Sequence, residues 1–349
     1  MTRRGTVSAV PKLVCSACGL RTAPDPRRYR CACGGVIDLD GPADVVPVDL
    51  GAVPTPLVRL PDPDLDVRLK LEGLSATGSF KDRGAATLIG FLAGAGVERA
   101  VADSSGNAGA AIAAHCARAG IALDLYVPAS AAPGKLVQAR AHGANVVAVD
   151  GNRQAAADAA ATAVEQGAVY ATHAWSPYFL AGTAGFATEL LEQLGTGPDA
   201  LVLPVGSGTL LLGIWPLLAA LPRPPRIYAV QSAACAPLFS ATGDVPAEVA
   251  PQPSLAEGVL VARPPRGAQA IAAVRASGGR FLALGDETLG PALRRLARAG
   301  VFAEPTAALA AAALDVLRDA GDIAPGDSVV CAITGHGLKA PGAVEALLG

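Results

Sequence analysis

In SATGSFKDRGAA, residues 75–86, a single lysine stands behind a turn of small and hydroxyl residues, where a helical pattern begins. The helix dipole makes a first turn a poor place for a cation. Lys81 is therefore either a solvated side chain or one facing something the loop holds. The same field lowers an amine's pKa, which is what a lysine needs to form a Schiff base with a carbonyl compound. Two other loops carry donors suited to anions. In VADSSGNAGAA, residues Ser104, Ser105, Gly106, Asn107 and Ala108 end a strand-like run and open a small-residue helix. Backbone N–H groups and hydroxyls in such a turn cradle a carboxylate; an ordinary helix cap is the alternative. In LVLPVGSGTLLLG, residues Gly206, Ser207, Gly208, Thr209 and Leu210 follow an apolar run and open an apolar helix. Glycines there let the backbone approach a phosphate; a plain glycine-rich turn is the alternative. Leu211 occupies the third glycine position of a dinucleotide fingerprint, and no Gly-Lys-Ser/Thr follows, so neither common nucleotide loop is present.

These loops need strands to end on. Strand-like runs fall at 67–71, 100–102, 123–127, 146–149, 169–172, 201–205, 227–230, 281–284 and 329–333. Helical patterns lie between most of them, at 107–119, 152–166, 178–194, 287–299 and 305–317. This alternation predicts α/β architecture with parallel sheets, helices on both faces and ligands at the carboxyl ends of strands. The proline-rich stretch VPVDLGAVPTPLVRLPDPDLD reads as an extended linker into that body. The length of 349 residues suits about two domains, and 51% hydrophobic with 17% charged residues is a globular composition. A net charge of −2 without a basic block argues against a nucleic-acid partner. No apolar segment follows Arg3–Arg4, so a secretory signal is not expected, and the uncharged run 200–222 is broken by Pro204, Gly206 and Gly208. A soluble cytoplasmic protein with no membrane partner is expected.

Four of the seven cysteines cluster as Cys15-x-x-Cys18 and Cys31-x-Cys33, each pair followed by glycine. Two such knuckles can wrap a tetrahedral zinc ion in a structural role. The second is one residue short of the usual spacing, and a ribbon that folds without metal is the alternative. Cys116, Cys235 and Cys331 sit in apolar surroundings and are expected to be buried.

A Schiff-base lysine, a carboxylate cradle, a hydrogen-bonding asparagine and a phosphate nest together match what pyridoxal phosphate requires. At these residues the chain resembles the fold-type II pyridoxal-phosphate enzymes, and within them the threonine synthases and threonine-synthase-like proteins, from about Val53 to Lys339. The resemblance in TGSFKDRG implies that Lys81 is the Schiff-base lysine, with Phe80 beside the cofactor. That in SSGN implies that Asn107 bonds the ring hydroxyl, and that residues 104–108 hold the substrate carboxylate. PVGSGTL implies that residues 206–210 hold the cofactor phosphate, and ITGHGLK that the Thr334 hydroxyl faces the pyridine nitrogen. The N-terminal ribbon also occurs in that group. The implied architecture is a ribbon-like extension (1–45), a large cofactor-binding domain (46–90 and 181–349) and a smaller inserted α/β domain (91–180), with the cofactor in the cleft. A homodimer is implied by the resemblance alone.

The implied activity is that of a lyase converting O-phosphohomoserine and water to threonine and phosphate. Departures keep others open. Ala108 and Ala111 replace the hydroxyl residues that help hold the substrate phosphate in threonine synthases, and Asp158 stands near where an arginine often does so. Ser207 replaces the phosphate-loop asparagine. Alanine donates no side-chain hydrogen bond, and aspartate repels a phosphomonoester. The alternatives are a β-eliminating or β-replacing enzyme (serine/threonine dehydratase-like, or cysteate- or diaminopropionate-forming) and a non-catalytic phosphate-binding relative. Of the remaining polar residues, Asp82 and Arg83 are expected to brace the helix and His336 to pack the last loop. His173 and Trp175 follow a strand, with a place lining the cleft as one reading and ordinary packing as the other. Glu304–Pro305 resembles a strand-end segment near the cofactor in the family, a helix start being the alternative.

Overall fold

The computed structural model describes residues 11–349; Arg3 and Arg4 lie outside the described residues. An antiparallel ribbon comes first, in the order β2-β1-β3: β1 (Leu13–Cys15), β2 (Arg21–Thr22) and β3 (Ile37–Leu39). There follow β4 (Leu57–Leu60), β5 (Asp66–Leu71) and helix α1 (Lys81–Gly94). The next segment alternates strictly: β6 (Arg99–Ala102), α2 (Asn107–Ala119), β7 (Ala122–Pro128), α3 (Pro133–Ala141), β8 (Asn145–Val149), α4 (Arg153–Glu165) and β9 (Val169–Tyr170). Helices α5 (Pro177–Thr183) and α6 (Gly185–Leu194) lead to β10 (Ala200–Pro204), α7 (Thr209–Ala219) and β11 (Arg226–Ser232). The chain closes with α8 (Gly267–Ala276), β12 (Arg280–Leu284), α9 (Leu289–Arg298), α10 (Pro305–Asp319), β13 (Ser328–Ile333) and α11 (Pro341–Leu348).

Two α/β sheets result. The larger has the order β12-β11-β10-β13-β5-β4, parallel except for the edge strand β4; the smaller, β8-β7-β6-β9, is wholly parallel. In the larger sheet β10 is followed outward by β11 and β12 on one side, while β13 lies on its other side. In the smaller sheet β6 is followed by β7 and β8 on one side, with β9 on the other. Each sheet thus reverses its winding beside a strand whose following loop is one of the anion-cradle candidates, the crevice where open sheets take ligands. Apolar side chains fill both faces of the larger sheet, one against α9 and α10 and the other against α6, α7 and α8. Helix α1 packs its Ala85, Leu88, Ile89 and Leu92 with the smaller sheet and the ribbon residues Leu13, Cys15 and Ile37.

All nine strand-like runs lie in or beside strands, because each is a short apolar stretch that two-faced burial demands. Three segments differ from expectation. The proline-rich linker contains β4, which pairs antiparallel with β5 from Leu57↔Lys70 to Leu60↔Val67. Pro56 and Pro61 bound it, as an edge position tolerates. The single helix expected over 178–194 is two. It breaks at Thr183–Gly185, where the Thr183 hydroxyl donates to the Leu180 and Thr209 carbonyls and a Cβ on Gly182 would sit 2.1 Å from the Arg83 carbonyl oxygen. Helix α3 was not among the expected patterns; its Pro133-Gly134 opening masks it. The uncharged run 200–222 is β10, a loop and α7, and no described helix is long and apolar enough to cross a membrane.

Candidate active site

Lys81 is the first residue of α1, and the turn before it is fixed by its own neighbours. The Thr77 backbone N–H and hydroxyl both donate to the Asp82 carboxylate at 2.7 Å, and Gly78 takes φ +88° to make the bend. Arg83 donates to Glu72 and to Glu189, both at 2.7 Å. Lys70, fully buried, donates to Glu189 at 2.8 Å and to the Thr55 carbonyl at 2.6 Å. Asp82 and Arg83 are thus the braces of the loop. Lys81 is left free: its ammonium lies 4.0 Å from the centre of the Phe80 ring and makes no hydrogen bond or ion pair among the described residues. Burial, with the Arg153 charge, brings the Lys81 amine down to about 7, against the opposing pull of Glu304.

A run of direct contacts joins the other loops to this lysine. The Phe80 N–H donates to the Thr334 carbonyl at 3.0 Å, which sets the buried Thr334, just past β13, beside the lysine turn. Ser79 bridges Gly335, and the Glu304 N–H donates to the Gly335 carbonyl at 3.1 Å. A Cβ on Gly335 would lie 2.2 Å from a Glu304 carboxylate oxygen, so any larger residue there would push that carboxylate aside. Asn107, the first residue of α2, donates its side-chain amide to both Glu304 oxygens at 2.9 and 3.1 Å. From Glu304 the chain continues to Thr306, whose hydroxyl accepts the Gly258 N–H at 3.0 Å. A Cβ on Gly206 would meet Val259 Cα at 3.0 Å. Lys81, Thr334, Asn107 and the 206–210 loop, from four different strand ends, therefore converge around Glu304.

Both anion cradles have open donors. Among the described residues, the backbone N–H groups of Gly206, Ser207, Gly208, Thr209 and Leu210 donate to no protein acceptor, though all five residues are buried. Gly208 takes φ +79° to turn the chain into α7, and the buried Thr209 hydroxyl has no partner. Buried donors are normally satisfied, so this loop is built around an acceptor that the protein does not supply. In the 104–108 loop, Gly106 N–H donates to the Ser104 hydroxyl at 3.3 Å, while the Ser105, Asn107 and Ala108 N–H groups find no protein acceptor. A Cβ on Gly109 would lie 1.8 Å from the Ser104 carbonyl oxygen, so the small residue keeps the cradle tight. An aldehyde bearing a phosphate fits the pairing of a free amine near neutrality with a buried nest of unpaired N–H groups.

Several groups at this site carry no motif. Glu304 is buried, and burial raises its carboxyl above the ordinary range, opposed by the Asn107 amide and by Lys339, Lys81 and Lys135. Lys135 of α3 pairs with Glu257, and Gln138 of α3 donates to the Thr77 carbonyl at 3.2 Å while accepting from Lys339. Helix α3 is thereby fastened across the cleft. His173, just past β9, is 5% exposed, and its Nδ1 has no partner. Burial and the Lys81 and Arg153 charges hold it well below the ordinary histidine value, so its ring is neutral. Asp158 is exposed and accepts from the Gln154 side-chain amide at 2.9 Å. His336 accepts the Leu338 N–H at 3.2 Å and pins the final loop, and Trp175 packs edge-on to Tyr29.

The four ribbon cysteines also come together. Their sulfurs all lie within 4.8 Å of one another, with Cys15–Cys33 at 3.5 Å and Cys18–Cys31 at 3.7 Å. A tetrahedron of thiolates at about 2.3 Å from zinc has edges of this order. The clustered thiols shift one another in opposite directions: chiefly through the Cys18 backbone N–H the Cys15 thiol is lowered to about 6, while at Cys33 the lowering by the Gly35 N–H is outweighed by the neighbouring thiols, which push it up to about 12. Cys116, Cys235 and Cys331 are buried thiols elsewhere.

Two open α/β sheets around a lysine, a nest and an asparagine define the class, and the comparisons agree. Residues 48–335 match the family described as pyridoxal-phosphate dependent enzyme. The chain belongs to that family, and it is a pyridoxal-phosphate-dependent lyase of fold type II. Within the family it is 35% identical to the threonine synthase of Mycobacterium tuberculosis over 311 residues, covering 85% of each chain. It is also 35% identical to that of Synechocystis over 301 residues, covering 82% of this chain and 77% of the other. Among solved structures, the L-serine ammonia-lyase of Rhizomucor miehei shares the fold with a TM-score of 0.75 at 21% identity, covering 84% of this chain and 97% of that one.

Proposed function

We propose that the protein is a threonine synthase, converting O-phosphohomoserine and water to threonine and inorganic phosphate. What carries this reading is the sequence identity with curated threonine synthases over most of the chain, together with the free Lys81 amine at the meeting point of two anion cradles. Pyridoxal phosphate, when bound, supplies the electron sink that stabilises negative charge on substrate carbons. In this reading Lys81 holds the cofactor through its aldehyde, the 206–210 nest holds its phosphate, and Asn107 and Thr334 orient its ring, with Phe80 alongside. The Asn107 amide nitrogen is engaged by Glu304, which leaves its Oδ1 for a partner. Residues 104–108 receive the substrate carboxylate. Once freed, the Lys81 amine, neutral in good part at pH 7 to 8, takes the α-proton and returns it during turnover. A Cβ proton is lost as the Cγ–O bond to phosphate breaks; Cγ is then protonated to a methyl group, and the hydroxyl of water joins Cβ while a proton is restored at Cα.

Three further features belong to the same reading. The ribbon holds a structural zinc ion on Cys15, Cys18, Cys31 and Cys33; the sulfur separations support it. The chain divides into the ribbon (1–45), a larger cofactor-binding unit (46–90 and 181–349) and a smaller inserted unit (91–180). The enzyme works as a homodimer, as the resemblance to the family suggests.

A second reading has one observation behind it. Ala108 and Ala111 are buried at the cradle, and Asp158 carries an acceptor-only carboxylate, so the three positions where the resemblance expects the substrate phosphate to be held offer no side-chain donor. A β-eliminating enzyme acting on serine or threonine needs none. Product analysis separates the two. The cofactor-loaded protein is expected to release threonine and phosphate from O-phosphohomoserine in equal amounts, and Lys81→Ala to lose at least about 10²–10⁴-fold. Ammonia and a keto acid from serine or threonine, with O-phosphohomoserine untouched, would replace the first reading by the second.

A further inference from the structure

Glu304 has the position of a helix cap and does not act as one. It stands directly before Pro305 at the start of α10, where a carboxylate is well placed to take the free N–H groups of the first turn, yet its side chain accepts none of them. The carboxylate turns instead toward α2, where the Asn107 side-chain amide donates to both of its oxygens at 2.9 and 3.1 Å. Glu304 is 7% exposed, and no cation pairs with it among the described residues. Of the three lysines whose charges reach it, Lys135 pairs with Glu257, Lys339 donates to Gln138, and Lys81 stands free. A buried carboxylate held by one neutral amide is costly, which points to a use in the site. Its backbone is fixed there as well. Ala303 bridges His336 and the Glu304 N–H donates to the Gly335 carbonyl at 3.1 Å, while Ser79 bridges Gly335 and the His336 N–H donates to the Gly78 carbonyl at 2.9 Å. Residues 334–336 therefore join Glu304 to the lysine turn, and the carboxylate lies against Gly335, next in the chain to Thr334.

We propose that Glu304 is a positioning residue for the cofactor ring, acting through Asn107 to keep the ring hydroxyl protonated. Two oxygens accepting from one amide nitrogen is the arrangement of an ionised carboxylate; with the amide turned over, Oδ1 would meet it acceptor to acceptor. A bond to a carboxylate strengthens the Asn107 Oδ1 as an acceptor and weakens the remaining N–H as a donor. The charge on Glu304 also disfavours a second negative charge nearby. Both effects favour a ring oxygen that carries its proton over one that is ionised. The proposal rests on the assignment of Asn107 to the ring hydroxyl and is independent of which substrate the enzyme takes.

The test is the absorption spectrum of the holoprotein at one pH near neutrality, without substrate. The lysine-bound cofactor absorbs in the near ultraviolet when its ring oxygen carries the proton, and in the visible when that oxygen is ionised and the proton sits on the linking nitrogen. Glu304→Gln keeps the shape and removes the charge, and is expected to raise the visible-to-ultraviolet ratio at least about fivefold, the scale of one hydrogen bond. Glu304→Asp keeps the charge but draws it back from Asn107, and should move the ratio the same way by less; it carries the test if Glu304→Gln does not take up cofactor. In an Asn107→Ala background Glu304→Gln should lose most of its effect, since the pair acts as a unit. Borohydride labelling of Lys81 verifies that each variant is folded and loaded. An unchanged ratio in Glu304→Gln, or the same change with and without Asn107, overturns the proposal. If Asn107→Ala alone leaves the spectrum unchanged, the placement of Asn107 at the ring falls with it. If Asn107→Ala shifts the spectrum and Glu304→Gln does not, that placement stands and the role of Glu304 falls.

Discussion

At the scale of single residues, the chemistry turns on an amine held near neutrality. Burial is the main cause, and the charge on Arg153 adds to it, while Glu304 opposes. Only the neutral amine attacks an aldehyde, so the rate at which added pyridoxal phosphate attaches to the apoprotein should rise with pH through a midpoint near 7, well below the ordinary lysine value of 10.5. Removing a cation restores part of that value, so Arg153→Gln should move the midpoint upward. A stopped-flow pH series read by cofactor absorbance measures both, and a midpoint above 9 in the wild type would contradict the burial of Lys81. The residues of this site were unevenly legible. Lys81, Asn107 and the 206–210 loop each have an ordinary reading taken alone, as a solvated lysine, a helix cap and a glycine-rich turn; their combination, and the resemblance it carries, singles them out. Glu304 is legible only through the family resemblance; by position alone, before Pro305, it reads as an ordinary helix opening. Its meaning comes from the Asn107 amide that meets it, which spacing along the chain cannot convey.

At the scale of elements, α1 is held in register by charge. Lys70 from β5, Glu72 from the following turn, Arg83 from α1 and Glu189 from α6 form one largely buried network. Burial alone would raise the Glu189 carboxyl, but Arg83 and Lys70 outweigh it and hold it at about 2. The resulting stability is complete above the ordinary value of 4.5 and is lost as pH falls toward 2. Glu189→Gln leaves two buried cations short of a partner and should cost about 3–5 kcal/mol. Urea unfolding at pH 7 against pH 4 checks this, since the gap between variant and wild type should narrow at the lower pH. None of this network is visible as a pattern, because its members are spread over 119 residues of sequence from Lys70 to Glu189. The strands were visible, being short apolar runs between turn residues. Strand β4 was hidden by its flanking prolines, and the break between α5 and α6 by an unbroken helical composition. That break is decided by the Thr183 hydroxyl bonding to the Thr209 carbonyl, a contact between distant segments.

At the scale of the whole molecule, the ribbon is built into the body of the enzyme. Arg266, 1% exposed at the start of α8, donates to the Ile37 carbonyl at 2.6 Å and the Trp175 carbonyl at 2.7 Å and pairs with Asp38. One buried guanidinium thus joins the ribbon, the loop that carries His173 and the larger sheet. If the four cysteines hold zinc, the purified protein should contain about one zinc ion per chain, and chelation should lower its thermal midpoint and expose four thiols to a thiol reagent. Metal analysis with thiol counting decides it; full stability after chelation would show a ribbon that folds on its own packing. The two sheets, the clasp of α3 and the ribbon all converge on one lysine, and the most direct measurement traps the cofactor where it is bound. The holoprotein is reduced with borohydride, digested and mapped by mass spectrometry. The pyridoxyl group is predicted on Lys81, in the peptide containing SATGSFK, and to be absent after Lys81→Ala. A label on Lys70, Lys135 or Lys339 instead, or no covalent label on a protein saturated with cofactor, would contradict the site described above.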